Sequence, residues 1–291
     1  MVLILEAVVL GILSGGVYAL MASGLTLVFG VMEIINIAQG IFVIAGAYVS
    51  YALQQQFHLD LFVGLLITMP VMFLFGLGVE WLFIRRIKRD RVTLSILVTY
   101  AVALVIEGVL GYIFTTDLVQ LHAWYVDASV QIGNFYLPYV YLFAFALSVV
   151  LLTGLYLLLY RTPFGRSLRA SMQNRTAAAL LGINVSRVQA ITFGLGVALA
   201  AAGGMAYGAT NTFNPSSSYD LISRLLVIIV LGGMGSFWGA LIGSVLMLVI
   251  GDVTAVLWSP VWSSTAFFVL LVVLLMFRPQ GLLGWSEGRR Q

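Results

Sequence analysis

Apolar residues run along this chain in long stretches, broken by short polar segments at roughly even intervals. The stretches predict helical spans at about 3–30, 36–54, 60–84, 93–114, 138–160, 188–210, 223–235, 238–257 and 264–277. Roughly 20 apolar residues are needed to cross a ~30 Å bilayer core as a helix, and most of these runs come near that length. The run 223–235 does not, since at 1.5 Å per residue it rises only about 20 Å. It leads into LGGMGSFWGALIGS, where Gly232, Gly233, Gly235, Gly239 and Gly243 crowd together. A discontinuous helix is predicted there, its broken backbone facing protein or water because lipid offers no hydrogen bonds. The N-terminal part has the same grammar: the first span fades at Phe29-Gly30, the polar INIAQG follows, and a segment containing Gly46 and Ala47 begins. Short or glycine-interrupted segments at corresponding points of two halves mark transporter sites, although the likeness of the two halves is faint.

Composition agrees with the pattern. Of 291 residues, 62% are hydrophobic and 9% charged, against about 25% charged in a soluble domain. Too little polar surface exists to coat a globule, and the ~10-residue alternating segments of an outer-membrane barrel are not evident. The expectation is an all-α polytopic membrane bundle of about eight spans, forming a single transmembrane domain over 1–291. The opening MVLILEAVVLGILSGG lacks a basic leader region and reads as the first span rather than a cleaved signal.

Charge then orients the bundle. Thirteen of the fourteen Arg and Lys residues fall in three clusters, Arg85–Arg91, Arg161–Arg187 and Arg278–Arg290, with Arg224 left over. The intervening segments carry Asp60, Asp117, Asp127, Asp220, His58 and His122 instead. Short basic loops stay cytoplasmic, and counting spans places all three clusters on one side: N-terminus outside, C-terminus in the cytoplasm. So distributed, the net charge of +3 belongs to a membrane surface and its lipid, not to nucleic acid.

The second cluster is more than a loop. In RTPFGRSLRASMQNRTAAALLGINVSRV, Thr162-Pro163 is a good helix start, and Phe164, Leu168 and Met172 recur every four residues. Thr176 is placed to cap a second short helix, which Gly182 ends in the left-handed conformation. Helices this short are marginal alone. They lie on lipid headgroups or insert into a cytoplasmic partner, and the small, smooth AAALLG turn favours the partner.

Four ordered motifs, ASGLTLVFGVMEIINIAQG…GAY, RTPFGRSLRASMQNRTAAALLGIN, LGGMGSFWGALIGS and RPQGLLG, make the chain resemble, over almost its whole length, the H-type permease subunits of LIV-type (branched-chain amino acid) ABC importers. The resemblance implies a bacterial inner-membrane permease that carries an amino acid. Its implied partners are a second, M-type permease, two cytoplasmic ATPases and an extracytoplasmic substrate-binding protein. It also implies that Arg169, Ala170, Asn174, Ala177, Leu181 and Gly182 lie in the segment touching an ATPase. Gln39-Gly40 stands where many members have His-Gly.

The remaining chemistry is sparse. Zero cysteines exclude disulfides, thiol catalysis and cysteine-ligated zinc. The one lysine, Lys88, follows no glycine run, so the chain carries no phosphate-binding loop. No metal or cofactor set and no intramembrane protease pair is visible, and a non-enzymatic transport subunit is expected. Asn36 and Gln39 either cap free backbone at a helix start or, with Gly40, contact solute there; Ser23, Thr26, Tyr48, Asn211, Asn214 and Ser236 are weaker candidates for lining the path. Glu107, inside span four, is either a proton-relay carboxyl of an ion-coupled transporter or a side chain bonded between helices. Glu80, near Arg85 and Arg86, and Glu33 are expected to form interfacial ion pairs, and Asp252 to be solvated near a span end. The small-residue run Phe193–Gly208 reads as tight helix packing, with the second permease as one possible neighbour. Trp124, Trp258, Trp262 and Trp285 read as interfacial anchors.

Overall fold

The computed structural model describes residues 2–87, 90–132, 135–278 and 280–283. Lys88, Arg89, Trp285, Arg289 and Arg290, all used in the charge and anchor arguments, lie outside them. In chain order the helices are α1 (Val2–Met32), α2 (Gln39–Phe57), α3 (Leu61–Leu82), α4 (Arg91–Phe114), the one-turn α5 (Trp124–Asp127), α6 (Tyr139–Arg161), α7 (Pro163–Gln173), α8 (Arg175–Leu180), α9 (Val185–Thr210), α10 (Ser218–Gly232), α11 (Phe237–Leu257) and α12 (Pro260–Phe277). Eight described helical segments are long and apolar enough to cross a membrane. The buried α2, ending in three glutamines, is not among the eight.

Helix α9 is the axis of the bundle and packs against α1, α2 and α3. Its Phe193–Gly208 run is almost wholly buried inside this chain, so the second permease is not what covers it. Close approach is the reason for the small residues. A Cβ on Gly204 would fall 1.9 Å from the Val43 carbonyl oxygen, and one on Gly46 would fall 2.3 Å from the Ala201 Cα. Close backbone approach of this kind replaces the hydrophobic drive that lipid cannot supply.

Both predicted interruptions are present. After α1 the chain passes through Glu33, with φ 52°, and stays non-helical to Ala38. Helix α10 begins at Ser218, earlier than 223, because Asn214 and Ser217 form a reciprocal cap around a 3-10 turn at Pro215–Ser217. Its 15 residues rise about 22 Å, and the backbone then breaks over Gly233 to Ser236 before α11. Leu282 and Leu283 return to this break, donating to the carbonyls of Leu231 and Gly232 at 2.8 and 3.0 Å.

The loop between α4 and α6 is more ordered than its composition suggested. Besides α5 it holds an antiparallel hairpin, β1 (Ser129–Ile132) and β2 (Phe135–Pro138), with Val130 opposite Leu137. Val119 and Phe213 form an isolated bridge that ties this loop to the segment before α10.

Candidate functional site

The amides of INIAQG sit at mid-height in the bundle. Gln39 and Asn36 are fully buried. The Gln39 Nε2 donates to the Met21 carbonyl of α1 and to the Gly196 carbonyl of α9, each at 3.3 Å, while Asn36 Nδ2 donates to Gln39 Oε1 at 3.2 Å. Gly24 and Gly196 leave room for the wedge, since a Cβ on Gly24 would come within 2.8 Å of the Gln39 amide nitrogen. The capping reading therefore fails: Ala38 takes the N-cap of α2 without a side-chain cap, and Gln39 instead staples two neighbouring helices. Asn36 Oδ1 is buried without a partner. The peptide between them is pinned to α4, where Thr99 Oγ1 accepts from the Ile37 N–H at 3.1 Å while donating to the Ser95 carbonyl of its own helix at 2.7 Å.

Helices α2 and α10 start back to back beside this junction. A Cβ on Gly40 would lie 2.4 Å from the Ser218 carbonyl and 2.9 Å from the Ile222 Cβ. Two helix N-termini, each the positive end of its helix dipole, thus meet inside the bundle and run to opposite ends.

The other candidate path residues do not gather there. Ser23 donates to the Leu20 carbonyl of its own helix at 2.7 Å. Ser236 caps α11 by accepting from the Gly239 N–H at 3.1 Å, at the end where Gly235 approaches Gly30. Asn214 is the cap before α10, and the exposed Asn211 donates to Thr210 and Tyr207. Tyr48 stacks on Phe114 at 4.5 Å, and its hydroxyl, like that of Thr26, is buried without a partner. Glu107 is held by the Tyr219 hydroxyl of α10, which is the interhelical bond rather than a free relay carboxyl.

The 161–187 segment forms two short helices packed under α6 and α1. Thr162 caps α7 by accepting from the Gly165 N–H at 3.1 Å. Asn174, not Thr176, caps α8, accepting from the Ala177 N–H at 3.0 Å, because the chain turns extended two residues earlier than expected. Gly182 ends the element at φ 83°. Arg169 is turned inward: it donates to the Leu159 carbonyl and lies over the Tyr160 ring. Outward stand Ala177, Ala179 and two bare leucines, Leu180 at 85% and Leu181 at 80% exposure. Arg175 pairs with Glu33 at 3.6 Å. Burial lowers the Arg175 pKa, Glu33 works against that, and Arg91 adds to it. Glu80 does not make the expected pair. It is buried and has no ion pair among the described residues, because α3 ends at Leu82 and the 3-10 turn Ile84–Arg86 carries Arg85 and Arg86 out to exposed positions.

A cavity of about 480 Å³ lies elsewhere, between α1, α6, α9, α10 and α11. Of the nine sequence candidates only Asn211 lines it. Its charged groups are Arg224, Asp252 and Glu6, and its phenols are Tyr18, Tyr141 and Tyr207. Arg224 Nε lies 2.9 Å from Asp220 Oδ2, ion-pair distance, yet the N–H is not aimed at that oxygen. The guanidinium also covers the Phe267 ring at 5.2 Å. Arg224 was visible in the sequence as the one basic residue outside the clusters. The run 223–235 put it at a span edge, where a basic residue is ordinary; with α10 starting at Ser218 it stands inside the span, where a charge costs about 2.5–3.5 kcal/mol on insertion scales and marks function by default.

The family described as branched-chain amino acid transport system / permease component matches residues 7–276. The chain belongs to this family. Curated permeases run alongside it end to end. The high-affinity branched-chain amino acid transport system permease protein BraD of Pseudomonas aeruginosa is 27% identical, over 97% of this chain and 96% of its own. LivH of Salmonella typhimurium, named likewise, is 28% identical over 95% and 94%. LivM of the same organism matches at 30% over half of this chain and 34% of its own length. No solved structure matches the permease.

Proposed function

We propose that the chain is the H-type transmembrane permease of an ATP-binding-cassette importer in the bacterial inner membrane, moving a small polar solute, most simply a branched-chain amino acid. The relatives' names supply the solute class, and their full-length match supplies the architecture. The chain itself performs no hydrolysis on this reading; two cytoplasmic ATPases supply the work. An M-type permease completes the membrane part, a pairing supported by the partial likeness to LivM, and a binding protein delivers solute outside. The basic clusters support an N-terminus outside and a C-terminus in the cytoplasm.

One observation carries the coupling part: Leu180 and Leu181 stand bare at the end of α8, on an element capped, braced and packed from behind. Exposed leucines beside small alanines form an apolar helix end that suits a hydrophobic groove on a partner. Arg175, Asn174, Ala177 and Gly182 would shape the contact, and Arg169 would hold α7 to α6 from within. Movement of the element reaches the bundle through Glu33 and the peptide leading to Asn36, Gln39 and Gly40. Opening or closing between the abutting starts of α2 and α10 is the proposed gate, with alternating access and no covalent chemistry.

The test is reconstitution. Vesicles holding the chain with its copurifying subunits should accumulate L-leucine with binding protein and ATP, and a protonophore should leave uptake intact. Leu180→Asp with Leu181→Asp should abolish both ATPase copurification and uptake. Uptake that ignores ATP and collapses with a protonophore would sink this reading and restore the ion-coupled one.

A further inference from the structure

The cavity between α1 and α11 is not used by the gate just described, and its few polar groups are specific. It opens where α9 and α11 end, beside Leu3, Asn211 and Val256, and follows α1 inward to Tyr18, about four helical turns. Small-ligand pockets occupy about 300–1,000 Å³, and this one holds about 480 Å³. An arginine offers five donors. Arg224 has Asp220 at ion-pair distance without alignment, a weak bond to Ser264 at 3.5 Å and the Tyr18 phenol nearby. Asp220, Ser264 and Tyr18 use part of the guanidinium fork and leave the rest of its five donors for a carboxylate in the cavity. Asp252 lines the same cavity from α11 and has no ion pair with Arg224 among the described residues.

Those two facts select the ligand. A simple carboxylate would meet repulsion from Asp252 and Glu6, and a simple ammonium would meet repulsion from Arg224. A molecule carrying both charges a short distance apart satisfies both sides. Between them the wall is apolar, with Leu10, Val17 and Leu248. We propose that this cavity is a binding site for a zwitterionic α-amino acid with a small apolar side chain. Arg224 takes its carboxylate, Asp252 its ammonium, and Leu10, Val17 and Leu248 its side chain. The site lies within one permease chain and would receive solute before the gate. It rests on the permease reading for the identity of the solute.

The test is equilibrium binding of tritiated L-leucine to the purified complex, containing the full chain and its copurifying subunits without binding protein. Saturable binding is expected, weakened about tenfold or more by Arg224→Gln and by Asp252→Asn. N-acetyl-L-leucine, which lacks the ammonium, and L-leucinamide, which lacks the carboxylate, should each compete at least tenfold less well than L-leucine. If Arg224→Gln fails to assemble, Asp252→Asn and the two analogues still decide. Saturable binding that Asp252→Asn leaves unchanged, or none at millimolar L-leucine, would overturn the site. So would binding seen in detergent and lost in phosphatidylethanolamine nanodiscs, which would give the cavity to a lipid headgroup. Wild-type uptake driven by ATP, measured in parallel, separates the two ideas. Its presence alongside unaltered Asp252→Asn binding sinks the site alone, and its absence alongside Asp252-dependent binding sinks the importer alone.

Discussion

Arg175 of α8 lies 3.6 Å from Glu33, just past the foot of α1, and donates to the Val31 carbonyl at 3.1 Å. One side chain thereby links the bare-leucine element to the peptide that climbs to Gln39. The pair is partly exposed, Glu33 more than Arg175, and such pairs contribute about 0–1 kcal/mol to stability. Its value would lie in transmission. Glu33→Gln and Arg175→Gln are expected to leave thermal stability within about 1 kcal/mol while lowering uptake relative to ATP hydrolysed. A double variant no worse than either single would show that the pair acts as one unit. Additive losses would show that it does not.

Helix contact through glycine makes a stability prediction with a sharp control. Gly204→Ala would drive a Cβ into the Val43 carbonyl, 1.9 Å away, where backbone on both sides resists movement. Overpacking of this kind costs about 1–3 kcal/mol and should lower the unfolding temperature in detergent. Gly108 and Gly154 have nothing within 4 Å of such a methyl. Alanine there should be neutral or slightly stabilising, since alanine is the better helix former.

How much of this was written in the sequence depends on the range of the cause. The spans, the two breaks and the caps at Thr162 and Gly182 come from residues within a few positions of one another, and they were legible. The hairpin at Ser129–Pro138 was hidden only by its setting, for SVQI and FYLP around a central glycine carry a strand signal. What Gln39 touches was not legible, because Met21 and Gly196 reach it from distant parts of the chain. The cap of α8 moved from Thr176 to Asn174 because two cap formers two residues apart compete, and Asn174 is the one held extended. Arg224 was conspicuous, but the residues around it come from α1, α9, α11 and α12, so its cavity needed the fold.

Tyr125 offers a reading by pH. Its hydroxyl donates to Asp60 Oδ2 at 3.1 Å, and burial, then the Asp60 charge and that bond, push its pKa above the ordinary tyrosine value near 10. A pKa raised in the folded state gives stability that is complete below the unfolded value and is lost as pH rises past it. Wild type should therefore lose stability above about pH 10 more steeply than Tyr125→Phe, as followed by thermal unfolding in detergent at pH 9 to 11. Parallel curves would remove the linkage. Below pH 9 the two should differ by a constant offset.

Gln39 joins packing to transport, and two substitutions separate the roles. Its Nε2 bonds carbonyls of α1 and α9 from the first turn of α2, so it fixes where that helix starts relative to both. Interhelical bonds within membranes average about 0.6 kcal/mol each and reach about 1.7, so Gln39→Leu, which loses two, should cost about 1–3 kcal/mol and still assemble. Gln39→Glu keeps the shape but replaces the amide donor with a carboxyl facing two carbonyl oxygens, and it should be the more destabilising change. If solute passes the junction of α2 and α10, Gln39→Leu with Asn36→Leu will reduce uptake at least tenfold in a complex that still hydrolyses ATP. Transport at wild-type rate in that assembled complex would show that the amides only pack helices and that the path runs elsewhere.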